Sequence, residues 1–198
     1  MPEQQEARPE RFRFEIPESG ELEFRVVKFT AMEQISVPYK VVLNLASEDD
    51  VDLEEVVGKS GLLTILSEDT DRLFHGIISE FTLAGRSGRF NLYRLNLVPS
   101  IWLLSLENDC RIFQEKTVPE IVQSILEEQQ ITSDQFAFRL QKDYQPRTYC
   151  VQYRETDLNF ISRLLEEEGI FYFFEHTEDT HLLVFGDGTV NYQPISGE

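Results

Sequence analysis

The chain has 198 residues, 41% of them hydrophobic, and its 36 acidic and 18 basic side chains give a formal charge of −18. That length suffices for one large or two small domains to bury a core without staples, and the charge argues against binding to phosphate backbones or anionic lipid. Both halves are acidic, with 11 basic and 18 acidic residues up to position 100 and 7 and 18 after it, a balance that serves solubility or an acidic docking face.

Cys110 and Cys150 are too few and too isolated for a disulfide framework or a zinc ribbon, so both are expected as free thiols. There is no run of 18 apolar residues, and residues 1–10 have neither a basic region nor an apolar core. The expectation is a soluble protein made in the cytoplasm, without a stable membrane anchor, that would leave the cell without a Sec-type signal.

Residues 1–10 read as a disordered lead, rich in Glu, Gln and Pro. Phe12, Phe14 and Ile16 then alternate with charged residues, as do Leu22, Phe24 and Val26, and Pro17-Glu18-Ser19-Gly20 between them is a hairpin signal. Further strands are predicted over Lys40–Ser47, Leu62–Ser67, Arg72–Leu83 and Arg89–Pro99. The alternation slips by one residue between Phe90-Leu92 and Tyr93-Leu95-Leu97, which predicts a bulge near Leu92. Short strands with polar turns and no strong helix predict a closed or nearly closed antiparallel β-barrel over residues 11–100, because closure removes exposed edges.

From Ile101 the texture changes to longer apolar segments with helix signals, and residues 101–198 are expected to form a smaller α+β unit. The fold class is thus mixed α+β, mainly β. Thr117 and Glu120 have the spacing of a capping box, Pro119 suits the first helical position, and Ile121, Val122, Ile125 and Leu126 make an apolar stripe. Phe136–Leu140 follows a polar loop. Val151 and Tyr153 alternate with Gln152 and Arg154 as a half-buried strand would, and the period then changes to helical. Thr156 is a good N-cap, Asp157 puts negative charge in the first turn, and Leu158, Ile161, Leu164 and Leu165 share a face. Gly169 stops the helix, and the apolar run to Phe174 is expected to pair with His181–Phe185. Residues 191–198 read as a truncation.

The stretch 148–176 resembles the signature of the VgrG proteins, the spike hub of bacterial type VI secretion, and of related phage tail hub proteins. The letters that carry it are Gln152-Tyr153-Arg154-Glu155-Thr156-Asp157, Asn159-Phe160-Ile161-Ser162-Arg163-Leu164 and Glu166-Glu167-Glu168-Gly169-Ile170, with Tyr172 and Phe174. Weaker likeness extends through Arg111–Gln114 and Val118–Val122. The resemblance implies a non-enzymatic structural protein, the N-terminal hub region of a homotrimer that adapts a six-fold secreted tube to a three-fold spike. Its implied partners are Hcp-type tube subunits, baseplate proteins, its own copies, and effectors or adaptors. A tail hub of a contractile phage or phage-derived particle is the alternative setting. Within the motif, Arg154, Glu155, Asp157, Arg163, Glu166 and Glu167 are the candidate subunit-interface residues, being its concentrated charges.

Competing chemistry is weaker. Glu166, Glu167 and Glu168 lie about 100° apart around a helix and cannot converge on one point, although Arg163 is placed to offset Glu166 and Glu167. His176 and His181, expected on opposite faces or in solvent, match no zinc spacing. His75 reads as a strand-edge or partly buried histidine. The aromatic run at 171–174 lacks interleaved cations for nucleic-acid stacking. No G-x-S-x-G, P-loop, G-x-G-x-x-G or H-E-x-x-H is present, and no cofactor or metal is expected. A cell-wall glycan hydrolase using Asp187 or Glu168 as acid and base would require two converging carboxylates in a cleft.

Overall fold

Apolar residues alternate with polar ones along most of the first hundred positions, and in the computed structural model this pattern builds a curled, antiparallel half-barrel. The structure describes residues 11–20 and 22–189. The expected lead over residues 1–10 and the reading of 191–198 lie outside them. The strands are β1 (Phe12–Glu15), β2 (Arg25–Gln34), β3 (Val37–Ser47), β4 (Ser60–Ile65), β5 (Arg72–Ser87) and β6 (Phe90–Val98), in the spatial order β1-β4-β5-β6-β3-β2. A short helix α1 (Leu53–Val56) is capped by the Asp52 side chain.

Val41, Leu43 and Leu45 on β3 pair with Leu97, Leu95 and Tyr93 on β6, and all six are buried. Phe14, Phe24, Phe81 and Tyr93 form a ring cluster with centroids 4.9–6.3 Å apart. The Tyr93 hydroxyl accepts from Val51 N and donates to the Asp49 carbonyl, so its burial leaves no polar group stranded.

Two expectations are corrected. The segments around Phe14 and Phe24 do not form a hairpin. β1 pairs instead with β4, and one isolated bridge, Phe14↔Phe24, links the two ends of the strand order. Pro17 opens a single 3-10 turn and Gly20 follows at φ 66°, so the return reaches β1 through that one bridge and β2 begins only at Arg25, on the other side of the strand order. Phe14 pairs with Leu63, and its ring occupies space that Gly61, two residues before Leu63, leaves open by having no side chain. A Cβ there would lie 3.0–3.2 Å from Leu97 and the Phe14 ring.

The bulge near Leu92 is also absent from the ladder with β3, which runs without a shift from Asn91 to Leu97. Asn91, Tyr93, Leu95 and Leu97 share the buried face, and Phe90 is turned outward between the guanidinium groups of Arg25 and Arg89. The change of face falls in β5, where Phe74, Gly76 and Ile78 are buried and the next buried position is Phe81.

The chain divides into two compact units. One holds the described residues up to Ala31, Val41–Leu97 and Thr177–Asp179, and the other Met32–Lys40, Val98–His176 and the described residues from Thr180. The second unit contains β7 (Asn108–Phe113), α2 (Val118–Glu128), β8 (Phe136–Arg139), β9 (Cys150–Thr156), α3 (Asp157–Glu168), β10 (Phe171–His176) and β11 (His181–Gly186). Its core joins Ile121, Val122, Ile125 and Leu126 of α2 to Phe160, Ile161, Leu164 and Leu165 of α3, with Tyr172, Leu183 and Phe185. The predicted hairpin is present, Phe171↔Gly186 to His176↔His181, and β8 adds to β11 in parallel. Thr117 and Glu120 make the expected reciprocal cap, with α2 beginning at Val118, so Pro119 occupies its second position.

Candidate functional site

The motif begins with a strand whose faces are inverted. Gln152 is fully buried, whereas Tyr153 is 65% exposed, so the alternation that placed Val151 and Tyr153 toward the core is corrected. The cause is a bulge opposite β7. Asp109 pairs with Glu155 and Cys110 with Tyr153, leaving Arg154 without a partner position and at φ 51°, in the left-handed region. Phe113 and Cys150 share the inner face with Gln152, and Cys110, Ile112 and Tyr153 point outward.

Burial of Gln152 is explained by what lies beneath it. Its Nε2 donates to the Glu155 carbonyl at 3.0 Å and to Asp157 Oδ1 at 2.7 Å. Asp157, 2% exposed, stands in the first turn of α3, where the helix dipole favours a carboxylate. Its Oδ2 accepts from Arg111 Nη2 at 3.1 Å and from Gln129 Nε2 at 3.4 Å. Arg111 also donates through Nε to Asp109 at 2.7 Å, and its Nη1 lies 3.1 Å from Glu128. Desolvation works against the guanidinium charge, but Asp157, Asp109 and Glu128 together raise its pKa. The network ties β7, the end of α2, β9 and the start of α3 to one buried carboxylate. With its partners all contributed by the chain, it is a structural clamp.

Thr156 caps α3 by accepting from Asn159 N at 3.1 Å, and Gly169 ends it at φ 70°, ψ 32°, as the sequence predicts. Along the helix the charges form a chain. Arg163 grips Glu155 through Nη2 at 2.8 Å and Nε at 3.2 Å, and donates to the Val151 carbonyl at 2.9 Å, binding α3 to β9. Its contact with Glu167 is longer, 3.8 Å.

Sequence reasoning missed Arg147, whose two terminal nitrogens donate to Glu167 and Glu168 at 2.7 Å each. The bonds to Glu168 and Glu167 raise the Arg147 pKa against its desolvation. Only its place on the irregular chain before β9, remote in sequence from α3, brings it there. Of the six candidate interface residues, Glu155, Arg163 and Glu167 thus lie in this surface chain and Asp157 in the buried clamp. Arg154 and Glu166 are exposed and make no ion pair among the described residues.

Other candidates settle as structural. Burial would raise the Asp187 pKa, yet bonds from Lys142 N, Gln141 N and the Tyr144 hydroxyl, 2.9 Å each, hold it below its ordinary value. A general acid in glycan hydrolysis needs the opposite shift. His176 and His181 are neither in solvent nor on opposite faces. They are paired across strands, buried, and packed on Tyr39 with centroids at 4.9 and 6.1 Å. His181 Nε2 accepts from Ser100 N at 2.8 Å. His75 is buried within β5, where desolvation lowers its pKa against Asp179 and Glu18. Among the described residues no group of three or more His, Cys, Asp or Glu is arranged to hold a metal. Both cysteines are free.

Comparison with known proteins decides the family. The model of the phage tail baseplate hub (GPD) matches residues 32–198. The chain belongs to that family. Among its relatives, the type VI secretion system spike protein VgrG4b of Pseudomonas aeruginosa is 42% identical over 166 residues, covering 83% of this chain and 20% of that protein. VgrG2b of the same organism is 36% identical over 189 residues, or 94% and 18%. The chain therefore spans about a fifth of the length of these spike proteins. Among solved structures, the hub fold here superposes on the Escherichia coli c3393 protein with a TM-score of 0.84 at 30% identity, covering 91% of this chain and 50% of that one. That protein is described as a component of the type VI secretion system with structural similarity to the T4 bacteriophage tail proteins gp27 and gp5. A tail protein of Neisseria meningitidis, 12% identical with a TM-score of 0.58, shares the fold over 87% of this chain. No helix of the described residues is long and apolar enough to cross a membrane.

Proposed function

We propose that this chain is the hub region of a VgrG-like spike, a structural adaptor between a secreted tube and a trimeric puncturing spike, and that it works without catalysis. The observation that carries the reading is that the shared motif is spent on a clamp. Asp157, Gln152, Arg111, Arg163 and Glu155, with Glu128 of α2, hold two strands and two helices together, which is what a part transmitting force needs. The spike kinship of its relatives supports the same reading. In the assembly it would form a homotrimer, seat on an Hcp-type tube protein, contact baseplate proteins and carry effectors or adaptors. It would be made in the cytoplasm and delivered by contraction.

A chimera tests this reading. The matching fifth of VgrG4b is replaced by this chain in a strain lacking that spike. Secretion of the tube protein restored to the parental level supports the role, and a stable chimera that leaves secretion abolished contradicts it. The family model, named for phage baseplate hubs, favours a second setting in a phage-derived particle. Co-purification with a contractile particle rather than with the secretion apparatus would select it.

A further inference from the structure

The clamp turns polar groups inward, and the outer face of the same ribbon is left apolar. Ile112 is 60% exposed, Tyr153 65% and, just before β9, Tyr149 57%, with the exposed Cys110 opposite Tyr153. Val151 opposite Ile112 continues this face and is only partly covered. Such a grouping of tyrosines around an aliphatic centre is the composition of a protein contact. At its edge the bulge presents Arg154, whose guanidinium lies 5.3 Å from the Tyr153 ring centre and which has no ion pair among the described residues. The acidic counterpart is on the same chain. Glu166 is exposed in the last turn of α3, likewise without an ion pair among the described residues, where the helix dipole disfavours a carboxylate and favours a nearby cation.

We propose that the outward face of the β7–β9 ribbon is a contact surface for a second copy of this chain, with Ile112 and Tyr153 at its centre and Arg154 of one copy facing Glu166 of the next. The second copy is the occupant because it supplies the complementary charge that each copy leaves unmatched. A contact made of two different patches is head-to-tail, so it closes into a ring when the rotation permits. This rests on the hub reading and deepens it by naming the face through which subunits meet. The few side chains involved fall short of the roughly 800 Å² per partner of a standard interface, so the contact is weak by itself and concentration-dependent.

Cys110 reports on the face directly, since Cys150 is buried. The experiment measures the rate of Cys110 alkylation by a small maleimide against chain concentration, with sedimentation equilibrium on the same samples. The wild-type rate is expected to fall about threefold or more between roughly 10 µM and 1 mM as the chain associates, the range suited to a contact of this size. Tyr153→Ser and Arg154→Glu, each checked for an unchanged circular dichroism spectrum, abolish both the protection and the association. Adding Glu166→Arg to Arg154→Glu restores them.

A chain that stays monomeric throughout, or associates with Cys110 labelled at a constant rate, overturns the proposal. So does an Arg154→Glu variant that associates like wild type. Any of these leaves the hub reading to the chimera, whereas a failed chimera with Cys110 protected would remove the hub reading alone.

Discussion

The half-barrel and the β7–β9 ribbon solve the same problem in opposite ways. On β3 and β6 the apolar residues go inward, Leu43 against Leu95 and Leu45 against Tyr93, and burial of each contributes about 1.5–3 kcal/mol without directional constraint. On the ribbon Gln152 and Arg111 go inward to Asp157, and Ile112 and Tyr153 go out. Apolar packing tolerates small displacements, whereas a clamp of 2.7–3.1 Å bonds fixes how strands and helices meet. The two regions thus differ in what they bury: apolar pairs on β3 and β6, and on the ribbon a polar network that leaves Ile112 and Tyr153 outside.

The largest expected effect breaks the clamp. Asp157→Ala takes the buried carboxylate from Arg111, which keeps Asp109 and Glu128, and an acceptor from Gln152, and should cost about 3 kcal/mol in urea unfolding. Asp157→Asn, which keeps the acceptor without the charge, should cost less. A smaller effect separates the units by pH. His75 in the half-barrel has a folded-state pKa below its ordinary 6.5, so its unfolded form binds protons first. Its contribution is complete above that value and is lost as pH falls through 6.5 toward the folded pKa. Wild-type stability should therefore decline from pH 7 to 5, and less so in His75→Gln. Asp187, depressed from 3.8, gives a second loss only at lower pH. The smallest effect has the opposite sign. Arg154→Gly relieves a left-handed arginine and should stabilise the chain by about 0.5 kcal/mol or leave it unchanged, while removing the cation from the outer face.

Local signals were legible. Thr117 with Glu120, Thr156 and Gly169 mark both long helices because caps are satisfied within a few residues of chain. Pairings set by distant partners were not. Phe14 keeps a single bridge to Phe24 and takes its ladder from β4, some fifty residues away, where Gly61 leaves room for its ring. The orientation of Tyr153 depends on the bulge at Arg154 and on an acceptor five residues beyond Gln152, neither of which alternation encodes. The site was legible as a motif, and its charges were visible as a group. Arg147, which answers two of the three glutamates, comes from an irregular stretch that carries no periodic signal.

On β9 Gln152 is held inside and Tyr153 outside. Unfolding free energies of Gln152→Ala and Tyr153→Ser, measured side by side in urea, test it most directly. Gln152→Ala should lose about 2–3 kcal/mol, from the cavity and the lost bond to Asp157, and Tyr153→Ser under about 0.5 kcal/mol. A larger loss at Tyr153 than at Gln152 would contradict it.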